Sequence, residues 1–246
     1  MHNPNKSFSI TSLIINLVIF VSIILVSPTA AVDLPFDPNA YSFLVYVPNL
    51  NPNYDNITPA MEHILGRPLN QNEIRTSSDP VTPTDLATHD ILIVGWNAYG
   101  NIGGLHSKDL LAGITGRIIL TGHDLDFHTA SPGEYWYREA AEKMLVQSIN
   151  YVLTGSGTGL ITLGDYLNTF TYLPEEWDIS AQISDGEDIN NFTSEALASG
   201  VYDGLDPCDM SDWNGTYHDK FTVAQNSPFV PFELGGNQNA VLTNSY

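Results

Sequence analysis

Short apolar runs recur along this chain, each closed by a glycine and then by polar residues. The clearest are Asp90 to Asn97, Arg117 to His128 and Gly159 to Asp165. Their centres, Ile91 to Val94, Ile118 to Thr121 and Leu160 to Leu163, show no polar alternation. That is how strands read when helices cover both faces of a parallel sheet. Tyr41 to Val47, rich in aromatic and β-branched residues, predicts a first strand. Thr58-Pro59 opens a helix that Gly66 closes. Ser107 caps a short helix predicted over Lys108 to Ala112, and Gly133 to Leu153 is the longest one. In the latter, Trp136, Ala140, Met144, Ile149 and Val152 recur at helical spacing. The fold class is therefore α/β, a parallel sheet flanked by helices. Beyond Asp165 the pattern loosens into an irregular acidic C-terminal region. It is broken by a helix at Ser194 to Ala198 and by late strands at Phe229 to Leu234 and Ala240 to Thr243.

The first 31 residues read differently. Lys6 is the only charged side chain before Asp33, and an apolar run extends from Leu13 to Val26, followed by Thr29-Ala30-Ala31. This is the layout of a secretory signal peptide. The run is shorter than the roughly 20 residues a helix needs to cross a bilayer, and an uncleaved N-terminal anchor is the alternative. Residues 32–246 then form a single domain, secreted, periplasmic or at the cell surface, with no stable membrane insertion after cleavage.

The net charge is −20, and after Lys143 the only basic residue is Lys220 against fourteen acidic ones. Such a surface repels nucleic acid, so none is expected as a partner. The single cysteine, Cys208, excludes an internal disulfide framework.

Parallel α/β sheets bind ligands outside the carboxyl ends of their strands. Here those ends carry Trp96, Asn97, His123, Asp124, Asp126, His128 and Asp165. His123, Asp124 and Asp126 supply the parts of a general acid/base pair. Imidazoles and carboxylates are also ligands for a divalent metal, but this spacing matches no strict metal motif, and no cofactor is expected. If residues 123–128 stay extended, His123 and His128 point to opposite faces; a tight turn changes that. Trp96 offers a stacking platform, with Asn97, His128 and Asp165 as further ligand-binding candidates. His218, in the aromatic-polar stretch Asp212 to His218, is a further candidate for the same site. No Gly-x-Ser-x-Gly or Gly-x-Cys-x-Gly elbow is present, and the loop after the first strand lacks a dinucleotide fingerprint.

Residues 90–165 resemble the class I glutamine-amidotransferase-like superfamily, closest to its ThuA-like, trehalose-utilisation-type exported members. Asp90 to Asn97, Gly113 to Asp124 and Gly159 to Gly164 carry the likeness. It implies a flavodoxin-like sheet and a functional histidine near the turn, here His123. The nucleophilic cysteine of true amidotransferases belongs at the turn that Gly122-His123-Asp124 occupies, and Cys208 lies far from it. Glutaminase chemistry is therefore not implied. Two functions follow. One is a non-catalytic ligand-binding or surface module. The other is a hydrolase or isomerase acting on a small-molecule or carbohydrate ligand through a His/Asp site.

Overall fold

The computed structural model describes residues 33–48, 50–51, 55–96, 107–130, 135–164, 170–186, 190–211, 213, 217–236 and 238–244. Residues 1–31, the expected signal peptide, lie outside them. Five short strands form a parallel block: β1 (Phe43–Tyr46), β2 (Ile74–Arg75), β3 (Ile91–Val94), β4 (Ile118–Thr121) and β5 (Gly159–Thr162). Every residue of β1, β3, β4 and β5 is buried. This is the consequence of apolar runs with no polar face, which need cover on both sides.

Helices supply that cover. α1 (Ile57–Leu65), α4 (Leu125–Ala130) and α5 (Tyr135–Leu153) pack on the face carrying Phe43, Val45, Ile93, Ile119 and Ile161. α2 (Pro83–Thr88) and α3 (Ser107–Ala112) pack on the face carrying Leu44, Tyr46, Leu92, Leu120 and Leu160. Burying each such aliphatic side chain contributes about 1.5–3 kcal/mol.

The ends of the helices follow local chemistry. α1 starts two residues before the expected Pro59, because the Asp55 carboxylate accepts from the Thr58 backbone N–H at 2.9 Å. It stops at Gly66, whose φ of 64° is left-handed. α2 was not evident in the sequence. It is held by a capping box in which Thr82 and Asp85 each accept a hydrogen bond from the other's backbone N–H, with Pro83 at the first position. A short α6 (Ser194–Ser199) lies where a helix was expected, capped by the Thr193 hydroxyl.

The parallel strands run in the order β2-β1-β3-β5-β4. A flavodoxin-like sheet runs 2-1-3-4-5; here the last two strands are exchanged, which puts β4 outermost in the block. The C-terminal region then adds antiparallel strands: β6 (Ile179–Gly186), β7 (Asn190–Phe192), β8 (Tyr217–Val223), β9 (Phe229–Gly235) and β10 (Gln238–Asn244). β10 pairs antiparallel with β4 through residues 241–243 and with β8 at Asn239, while β9 takes its other side. β4 and β8 thus share one side of β10, and β8 continues where β4 ends. This arrangement brings the C-terminal region to the carboxyl edge of the parallel strands.

Candidate functional site at the end of the fourth strand

Gly122 is the hinge of the site. Its N–H donates to the Ala240 carbonyl and its carbonyl accepts from the His218 N–H, both at 2.8 Å. A Cβ at residue 122 would collide with the Asp219 carbonyl, and one at Gly164 with the Gly122 carbonyl. Two glycines thus let β4, β5 and β8 meet backbone to backbone. The next residue, His123, is fixed through its N–H to the Thr121 hydroxyl and through its carbonyl, which accepts from Gly164 N–H.

The chain then turns into α4 rather than staying extended. Asp124 and His128 therefore fall one helical turn apart, with His128 Nε2 3.2 Å from Asp124 Oδ1. The other oxygen, Oδ2, receives Nε2 of His218 at 3.1 Å. A carboxylate offers no proton, so His218 presents its Nε2–H to it, while His128 stands at ion-pair distance. Burial pushes the Asp124 carboxyl upward, but hydrogen bonds and charge from His128 and His218 outweigh it and hold it far below the usual carboxylate range. Asp126 is the opposite case. It is wholly buried, accepts from the Trp96 backbone N–H at 3.2 Å, and sits near the charge on Asp124. Burial first, then that charge, drives its carboxyl well above the ordinary value.

His123 is completely enclosed. Its Nε2 lies 2.9 Å from Glu233 Oε1, and the hydroxyl of Tyr202 donates to Glu233 Oε2 at 2.8 Å. Burial and the Glu233 charge push the Tyr202 phenol well above its usual value. The Trp213 ring lies between the two sets, 5.7 Å from His123 and 5.1 Å from His128, and its indole N–H donates to the Asp209 carbonyl. Trp96, half-buried, meets Phe127 edge to face at 5.6 Å.

Of the residues expected at the site, Trp96, His123, Asp124, Asp126, His128 and His218 come together. Asn97 and Asp165 lie outside the described residues. His218 keeps 16% of its side chain exposed, whereas Asp124 keeps 3% and His123 none. Sequence reasoning missed Glu233 and Tyr202. The signal for Glu233 was a lone acid inside the apolar run Phe229 to Leu234; Tyr202 carried none. Among the described residues, no three His, Cys, Asp or Glu side chains are placed to hold one metal ion, and no helix is long and apolar enough to cross a membrane. No family model, curated protein or solved structure matches the chain.

Proposed function

We propose that this chain is an exported domain of the glutamine-amidotransferase-like type, without the nucleophile, whose strand-end cluster does acid/base chemistry on a small polar ligand. The reaction class is hydrolysis or isomerisation of a sugar-like compound. His218 exchanges the proton, and Asp124 orients it. The observation that carries this reading is the Asp124 carboxylate, buried and ion-paired, whose partly exposed partner among the described residues is His218. A base held by a buried orienting acid is the arrangement proton-transfer sites use. The opposed displacement of Asp124 and Asp126 within three residues supports the same reading, because perturbed carboxyls concentrate at functional sites. The enclosed His123 becomes a positioning residue, tied to Glu233 and Tyr202 rather than to a ligand.

The test is turnover of a panel of p-nitrophenyl glycosides and esters by the wild type and by His218→Asn. General acid/base catalysis contributes about 10²–10⁴-fold, so the variant should lose at least that lower factor. No turnover by the wild type would sink the hydrolase reading. A second reading, a non-catalytic binding or surface module, is favoured by one observation: most of the cluster's polar side chains are sealed from solvent. Under it, His218→Asn changes ligand affinity alone.

A further inference from the structure

At the amino edge of the parallel strands, away from the His/Asp cluster, lies a cleft of about 360 Å³. Asp90 and Thr158, the residues just before β3 and β5, line it together with Tyr41, His89, Gly155 and Gly157. The Asp90 carbonyl accepts from the Gly159 N–H at 2.9 Å, which ties this edge of the cleft to the sheet. A second cleft, of about 330 Å³, meets the first at Ala87 and Thr158 and continues between α2 and α3 past Leu86 and Leu110. Each volume falls within the range of small-molecule sites, about 300–1,000 Å³.

The lining groups have defined polarity. Asp90 Oδ2 accepts from the Ser42 N–H and hydroxyl, both at 2.8 Å, which leaves Oδ1 as an acceptor for a ligand. His89 Nδ1 lies 2.8 Å from the Asp85 carbonyl. A carbonyl only accepts, so Nδ1 carries the proton, and Nε2 of the neutral ring is a second acceptor. Tyr41 adds a half-buried ring, packed edge to face on Phe36 at 6.4 Å, and a hydroxyl that both donates and accepts. Gly155 and Gly157 contribute bare backbone, which lets a flat ligand approach closely.

We propose that this groove binds a neutral oligosaccharide. Adjacent acceptors from Asp90 and His89 suit neighbouring hydroxyls, and the Tyr41 ring suits the C–H face of a sugar. The second cleft gives room for more than one ring. Among the described residues lining either cleft none is Lys or Arg, and Asp90 and Asp109 repel an anion. Arg117 lies behind Gly155, with its guanidinium on the Tyr151 carbonyl and the Thr154 hydroxyl. This inference is independent of the acid/base reading, because the groove lies at the opposite end of the strands from His218.

The experiment titrates the ¹⁵N-labelled chain with maltotetraose, cellotetraose, xylotetraose and chitotetraose at millimolar concentration. At least one should shift the amides of residues 88–90 and 155–158. Asp90→Asn keeps an acceptor for Ser42 but turns the free oxygen into a donor. It should fold as the wild type does and bind about tenfold or more weakly, the worth of a hydrogen bond to a charged group. Tyr41→Ala should also weaken binding, whereas His218→Asn should leave these shifts intact, so the two sites stand or fall separately. No shift at these amides with any tetrasaccharide overturns the proposal, as does undiminished binding by Asp90→Asn. Shifts confined to residues 123–128 and 218 overturn it too, and place the sugar at the acid/base cluster instead. Tighter binding of adenosine, which stacks without a run of hydroxyls, overturns the carbohydrate assignment.

Discussion

Asp124 and Asp126 show how little sequence distance is needed to reverse the behaviour of a carboxyl. Both are sealed from solvent, but one faces two imidazoles and the other backbone N–H groups. The raised carboxyl of Asp126 has a definite thermodynamic sign. Above the ordinary aspartate range the unfolded chain gives up this proton while the folded chain keeps it. Stability from this group is complete below about pH 4 and declines as pH rises toward the folded value. Asp126→Asn keeps an acceptor for the Trp96 N–H and removes the titration. Its melting temperature should therefore fall less between pH 5 and pH 8 than that of the wild type, as melts across that range would show. A parallel decline in both proteins would mean that Asp126 is ionised in the fold. The cluster itself was legible because it follows an apolar strand directly in sequence. Its outer partners were not: Tyr202 and Glu233 lie 79 and 110 positions from His123, and only tertiary pairing of β9 with β10 brings Glu233 inward.

The parallel strands and α5 were readable at the level of elements, because burial on both faces leaves an unbroken apolar run and a long helix leaves a periodic one. β6 and β8 were not, although both carry period-two patterns. In β6 the apolar positions Ile179, Ala181 and Ile183 are interleaved with polar ones, and Ile183 remains half exposed. In β8 the wholly buried Asp219 occupies the inward position two residues before Phe221, so the apolar face is interrupted in sequence. α2 was hidden for a different reason: six residues with few apolar positions give no periodic signal, and its stability comes from its cap. Thr82→Ala removes the side-chain acceptor for Asp85 N–H and the hydroxyl that donates to its carboxylate. The expected loss is about 0.5–2 kcal/mol, the usual cost of deleting such a cap, measured by urea unfolding with an unchanged slope. No loss of stability would show that Arg75, which also grips Asp85, fixes α2 by itself.

Across the whole molecule the polar cluster is a seam. His123 to Glu233, Asp124 to His218, and both His123 and His128 to Trp213 all connect the parallel block to the C-terminal region. Loss of Asp124 should therefore loosen the union of the two regions rather than one loop. Its carboxyl is depressed in the fold, so its contribution is fully present above about pH 4 and is lost as pH falls below that value. Glu73 and Asp85 carry the same sign. The Arg67 hydrogen bonds lower Glu73; for Asp85, burial is outweighed by Arg75 and Thr82. Acid unfolding of the wild type alone would thus not isolate Asp124; its difference from Asp124→Ala does. Below about pH 4 Asp126 is protonated in both folded and unfolded chains and drops out of that difference. Near pH 7 the variant should be less stable by about 3–5 kcal/mol, the cost of stripping one partner from a buried ionic group. The gap should narrow as pH falls from 4 toward 2, because the wild type is then losing what the variant never had. Chemical unfolding at pH 7, 4 and 2.5 measures it. A gap constant over those pH values would show that Asp124 acts by packing alone, with the histidines contributing no charge to the seam.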